Sequence, residues 1–198
     1  LACKFGKSED EVHRIILDCA EKLLGVRNNR AQPGKDDKVL TAWNGLMISA
    51  FVKGFKVSGK SKYLDVALNA INFYQDQFEK HGALNRVFKD GTSKLNAYLD
   101  DYAYLTNSLI DVFEITAESY FLEIAQKIAN YMIEHFWNDS ESSFYFTADT
   151  HEPLIVRPKN YYDLSVPSGN SVASNALLKL HHLTQNEKFL EISKKILE

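Results

Sequence analysis

The chain of 198 residues is 45% hydrophobic and 12% aromatic, enough to bury a substantial core. Its formal net charge of -3 comes from interspersed signs, which leaves no electrostatic footprint for nucleic acid or an anionic membrane as a partner. No apolar run approaches the roughly 20 residues of a membrane span, and a content of only four prolines favours long helices over a sandwich of short strands.

Seven segments carry apolar residues at helical spacing. The first runs from about Ser8 to Val26, with Ser8 as cap, Glu9 to Glu11 in the opening turn, and Val12, Ile15, Ile16, Cys19 and Leu23 expected to face inward. The second, about Leu40 to Val57, uses Leu40, Trp43, Leu46, Met47, Ala50, Phe51 and Phe55. Gly59 stops it and Ser61 caps the third, with Leu64, Ala67, Leu68, Ile71 and Phe78 aligned. The fourth, about Ala97 to Thr116, presents Leu99, Tyr102, Leu105, Leu109 and Val112. The fifth, about Glu118 to Phe136, presents Phe121, Ile124, Ile128 and Met132. The sixth opens at Ser168 with Val172, Ala176, Leu177 and Leu180, and the seventh begins near Asn186.

The links alternate in length. Ser58–Lys60, Thr116–Ala117 and Thr184–Asn186 are tight turns, whereas His81–Asn96 and Asn138–Pro167 are long. The long links hold β-prone runs such as Phe144–Thr147 and Leu154–Val156. Antiparallel hairpins repeated around an axis follow from this alternation. The chain is therefore expected to be all-α, a partial (α/α)6 toroid with short β-hairpin-like loops on one rim. The starts of the second, fourth and sixth helices should share that rim, where binding groups commonly sit.

Cys3 and Cys19 form no CxxC and have no clustered histidines, so no metal, dithiol or cofactor site is expected, and the parent is read as cytoplasmic. The chain begins with Leu, shows no signal pattern, and still reads as helix from Phe189 to Glu198; an excerpt of a longer protein is the expectation.

Each rim start brings carboxylate or amide groups beside an aromatic ring: Asp36, Asp37, Trp43 and Asn44 at the second helix, Asp100, Asp101 and Tyr102 at the fourth, and Asn170 after Gly169 at the sixth. Acids in a first turn also answer the helix dipole and the orphan N–H groups, each by about 0.3–1 kcal/mol. Capping therefore explains any single one of them equally well. Two adjacent acid pairs, and a Trp-Asn pair a turn inside a helix, are harder to explain as caps. A common polar pocket is the reading that joins them.

The same residues carry a resemblance. Arg30, Pro33 and Asp36–Gly45, then Leu99–Ala103, then Pro167–Ser171 resemble thioredoxin-domain-containing proteins related to spermatogenesis-associated protein 20. The resemblance implies a parent with an N-terminal thioredoxin-like domain, absent from residues 1–198. It further implies a toroid similar to six-hairpin glycosidases and N-acylglucosamine 2-epimerases, of which this chain covers about half. The inner-helix histidines of such epimerases have no evident match here.

Three readings stay open. In a carbohydrate-active site, Asp101 and Asp37 are the catalytic pair; Trp43 or Tyr102 stacks on the sugar, and Asn44, Asn170, Asp36 and Asp100 contact it. Alternatively, the rim is a non-catalytic binding or scaffold module of a thioredoxin-domain-containing protein, or the acids only brace the loops. Expected partners are a carbohydrate or other small polar ligand, the rest of the parent chain, and a second copy meeting the apolar face that half a ring leaves open.

Overall fold

Periodic apolar positions and local caps become helices almost where the sequence places them. The computed structural model describes residues 2–198, in two units that divide between Asp37 and Lys38. The first unit holds α1 (Ala2–Phe5) and α2 (Glu9–Asn28). The α2 start is the expected one, with Ser8 Oγ accepting the Glu11 N–H at 3.2 Å and three acids in the first turn. Its expected inward stripe needs correction: no residue of α2 is buried, and Ile15, Ile16, Cys19 and Leu23 are exposed. Periodicity identifies an apolar face but not what covers it, and a lone helix with one extra turn cannot enclose its own stripe.

The second unit contains three helical hairpins in succession: α3 (Thr41–Ser58) with α4 (Ser61–His81), α5 (Leu99–Thr116) with α6 (Ser119–Phe136), and α7 (Gly169–Thr184) with α8 (Glu187–Leu197). The inner helices α3, α5 and α7 end alike. Gly59, Ala117 and Gln185 adopt left-handed conformations (φ 66°, 56° and 58°), and each N–H bonds the carbonyl four residues back. A tight turn then starts the outer helix. The same terminator used three times is what makes the hairpins repeat.

The long links and the approach to α3 carry the strands. β1 (Val39–Leu40) pairs with β2 (Asn85–Lys89), which pairs with β3 (Thr92–Asn96), all antiparallel. β4 (Trp137–Asn138) pairs with β5 (Ser143–Phe144). Of the two β-prone runs only Phe144 lies in a strand. Leu154–Val156 forms none and stands exposed, because that stretch is fastened otherwise: Arg157 donates to the carbonyls of His135 (3.1 Å) and Thr147. Among the described residues no helix is long and apolar enough to cross a membrane.

α5 sits between α3 and α7 and is buried on most of its circumference. Side-chain links climb the three inner helices in the same direction. Ala42 bonds Asp101 and Ser49 bonds Asp111 between α3 and α5, while Tyr104 bonds Pro167 and Lys179 bonds Asp111 between α5 and α7. The three helices are thus parallel and their N-termini gather at one end. Between α3 and α5 the approach depends on Gly45, where a Cβ would stand 2.8 Å from the Tyr104 carbonyl carbon and 2.9 Å from its Cβ. Neither atom belongs to a flexible tip. Gly45→Ala should therefore destabilise the fold by about 1–3 kcal/mol despite the better helix propensity of alanine. Denaturant unfolding reads this, and an unchanged or higher midpoint would contradict the packing described.

Candidate active site

The gathered N-termini meet at Asp101. It occupies the third position of α5, and its Oδ2 accepts the Tyr98 backbone N–H at 2.8 Å, one half of a capping box. Oδ1 reaches across to the Ala42 N–H at the start of α3, also at 2.8 Å. Arg86 on β2 completes the shell, with Nη1 3.2 Å from Oδ2 and its guanidinium 4.7 Å from the centre of the Tyr98 ring. The Asp101 side chain is 0% exposed. One carboxylate thereby ties α3, α5 and the β-sheet together, so Asp101 has no face toward solvent from which to act on a substrate.

Asp100 is placed differently. It is partly buried, and its Oδ1 is sealed from solvent without a hydrogen bond of ordinary geometry. The start of α7 lies directly against it: a Cβ on Gly169 would fall 2.4 Å from that oxygen. Only glycine fits there. Burial pushes the Asp100 carboxyl above the usual carboxylate range, outweighing the opposing pull of Arg86 and the Gly169 N–H. Tyr104, one turn further along α5, is buried and donates its hydroxyl to the Pro167 carbonyl. Its phenol is raised chiefly by burial, then by the charges of Asp100, Asp163 and Asp101. The start of α7 is closed by Asp163, whose Oδ1 accepts the Ser168 N–H at 2.8 Å.

The structure thus brings Asp100, Asp101 and the Asn170 segment to one end, while giving several of the expected residues other work. Tyr102 is enclosed: its hydroxyl accepts the Leu84 N–H at 3.0 Å and its ring stacks on Tyr131 at 5.0 Å, so it is a core ring and not a sugar platform. Asn170 is also buried, and its amide is consumed by Phe144 N–H (2.8 Å), Phe144 C=O (3.1 Å) and Asn160 C=O (3.0 Å). It clamps the second long link and has no capacity left for a ligand hydroxyl. Trp43 is 63% exposed on α3, and the half-buried Asn44 gives one amide hydrogen to the Leu40 carbonyl at 2.9 Å. Asp36 and Asp37 close the first unit and are exposed; the geometry above is built from the second unit alone.

Arg86, Tyr104 and Asp163 were not singled out by sequence. Arg86 reaches the site through strand pairing over long sequence separation, for which its own neighbourhood carries no signal. Asp163 and Tyr104 stand just outside the quoted motifs, and their link through the Pro167–Ser168 peptide becomes visible only once α5 and α7 are side by side. No group of three or more His, Cys, Asp or Glu among the described residues is arranged to hold a metal ion.

Comparison with known proteins follows the same outline. Human spermatogenesis-associated protein 20 is 31% identical over 96% of this chain, which spans about a quarter (26%) of that protein's length. An inactive variant of an α-1,6-mannanase from a Salegentibacter species, solved in complex with α-1,6-mannotriose, superposes with a TM-score of 0.63 at 17% identity, covering 86% of this chain and 48% of that one. Cellobiose 2-epimerase from Spirochaeta thermophila superposes at 0.64 and 14% identity, covering 80% of this chain and 42% of the other. These likenesses identify the hairpin array as part of an α/α toroid. The family described as beta-L-arabinofuranosidase, GH127 catalytic domain, matches residues 27–198, and the chain belongs to it.

Proposed function

We propose that the joined N-termini of α3, α5 and α7 form a glycoside-cleaving site in which Asp100 delivers the proton to the leaving oxygen. The observation that carries this is the sealed Asp100 Oδ1, without a hydrogen bond of ordinary geometry and packed against Gly169, on a carboxyl that burial pushes above the usual carboxylate range. Cleaving a glycosidic bond requires such an acid, together with a second carboxylate serving as base or nucleophile. Asp101 is then a positioning residue that fixes the direction in which Asp100 points. Trp43 and Asn44 are the α3 groups assigned to ring stacking and hydroxyl binding. The second carboxylate remains assigned to Asp37, which belongs to the other unit; the geometry described above is built without it.

Support comes from the family, whose description names a glycosidase. It comes also from the mannanase, whose inactive variant has two consecutive aspartates replaced and still holds a trisaccharide. This chain opens α5 with two consecutive aspartates. The competing reading, a ligand-binding or scaffold module within a thioredoxin-domain-containing parent, draws on the structural engagement of Asp101, Tyr102 and Asn170.

The two readings part on turnover. In the full-length protein assayed with aryl β-L-arabinofuranosides and α-1,6-mannotriose, Asp100→Asn should lower kcat by about 10²-fold or more at unchanged folding stability. Wild-type protein that turns over none of these sugars, or an Asp100→Asn variant as fast as wild type, would transfer the site to the binding reading.

Bracing by Asp101 has its own signature. Burial pushes its carboxyl up to about 6, so the folded chain keeps that proton above the ordinary value of 3.8. The stability this group contributes is fully present below about pH 4 and is lost as pH rises through about 6. Asp101→Asn cannot titrate. Its denaturant midpoint should lie below wild type at every pH, because an amide N–H₂ meets donors at Oδ2, yet should decline less between pH 4 and 7. A variant that reproduces the whole wild-type slope would place the titration on other groups.

A further inference from the structure

The segment from Asn160 to Asn170 is a closed loop. The Asn170 amide bonds the Asn160 carbonyl at 3.0 Å and so draws its two ends together. Within it the Tyr161 hydroxyl meets Ser143 Oγ at 3.0 Å, and the Leu164 N–H bonds the Val166 carbonyl at 3.1 Å. Asp163 holds the Ser168 N–H, and Tyr104 holds Pro167 from below. A loop fastened at this many points does not owe its exposed groups to looseness. Yet Tyr162 leaves 80% of its surface in solvent. A large ring displayed on a braced loop is preorganised for stacking, since little conformational freedom remains to be lost on binding.

The position of the loop is the second observation. Its last residue but one is Gly169, where a Cβ would fall 2.4 Å from Asp100 Oδ1, and Asp163 bonds the residue immediately before it. Chain geometry therefore keeps the Asp163 and Asp100 carboxylates within roughly 12 Å of each other. Carboxylates flanking a glycosidic bond stand roughly 5–9.5 Å apart, inside that ceiling. Asp163 uses Oδ1 for Ser168, and the residue as a whole is exposed, so its other oxygen is open to a ligand's hydroxyls.

We propose that Tyr162 and Asp163 form the sugar-holding wall of the Asp100 site, Tyr162 by stacking on the apolar face of a sugar ring and Asp163 by accepting its hydroxyls. This rests on the sugar-site reading above but concerns binding alone, with no bond made or broken. Occupancy therefore tests it separately from turnover. Full-length protein is titrated calorimetrically with α-1,6-mannotriose and with methyl β-L-arabinofuranoside. Wild type should bind at least one of them, and Tyr162→Ala and Asp163→Asn should each weaken that binding about tenfold or more. Tyr162→Phe, which keeps the ring, should stay within about threefold of wild type. Leu164→Ala, an equally exposed change on the same loop, should leave affinity unaltered. Asp163→Asn retains an acceptor for Ser168, so folding is preserved.

If binding is lost in the two variants while no sugar is turned over by any form, the wall stands and the glycoside-cleaving reading falls. Unchanged affinity in both Tyr162→Ala and Asp163→Asn overturns the wall whatever the turnover. Wild-type protein that binds neither sugar overturns it as well, and so does an equal loss in Leu164→Ala, which would mark a general disturbance of the loop.

Discussion

The buried Asp101 carboxylate is the constraint from which the rim geometry follows. A carboxylate removed from water is tolerated only when charge and hydrogen bonds replace its hydration. Here two backbone N–H groups and one guanidinium do so, from α3, α5 and β2. Each donor is itself anchored: Ala42 by the turn into α3, Tyr98 by its place at the end of the hairpin link, and Arg86 by the strand that carries it. To satisfy one acid the chain must hold three elements in fixed relation. The apolar core is non-directional and could not by itself specify where those helix ends stop.

That arrangement separates the two adjacent acids. Consecutive residues on an α-helix point about 100° apart, so Asp100 and Asp101 cannot serve the same face. With Asp101 turned toward α3 and the sheet, Asp100 is directed to the neighbouring gap, where α7 begins. Gly169 supplies the space and a helix N-terminus supplies a favourable field, and neither fully offsets the burial. One acid is thus fully satisfied and the other left incompletely so. Their roles differ because of rotation around a helix, not because of residue type.

Helix positions were largely legible in the sequence because caps and terminators are local. Ser8, Gly59 and Ser168 do what their residue types suggest, whereas Ser61 lies inside α4 behind Lys60, which makes no side-chain cap; α4, α5, α6 and α7 bury the stripe, or much of it, that periodicity indicates. α3 was misread in its facing. It is apolar nearly all round, so spacing could not choose a side. The buried face is Thr41, Ala42, Gly45, Ile48, Ser49 and Val52, while Trp43, Met47 and Ala50 stand exposed. Small residues made the choice by allowing α5 to approach. The rim cluster was legible as a set of motifs, but the roles within it were not. Whether Asn170 or Tyr102 meets a ligand or the protein's own backbone depends on Phe144 and Leu84, partners separated from them by 26 and 18 residues.

A second polar layer explains why the rim can hold a carboxyl with an unsatisfied oxygen. Further along the inner helices Asp111 accepts from Ser49 (2.6 Å), Asn107 (3.1 Å) and Lys179 (3.0 Å), and Lys179 also bonds Asn107 at 3.1 Å. This network joins α3, α5 and α7 again, so the parallel alignment is fixed at two levels along their length. Polar networks of this kind are costly when broken, because each lost partner strands a charge in a low-dielectric setting. With Asp101 clasped at the rim and Asp111 clasped below it, rotation of α5 would break both sets of bonds together. An incompletely satisfied group persists where its surroundings over-determine its position. Asp100 occupies such a place: its neighbours hold α5 in the one orientation that directs its carboxyl at Gly169, and the free energy lost there is small beside that of releasing the two clasps.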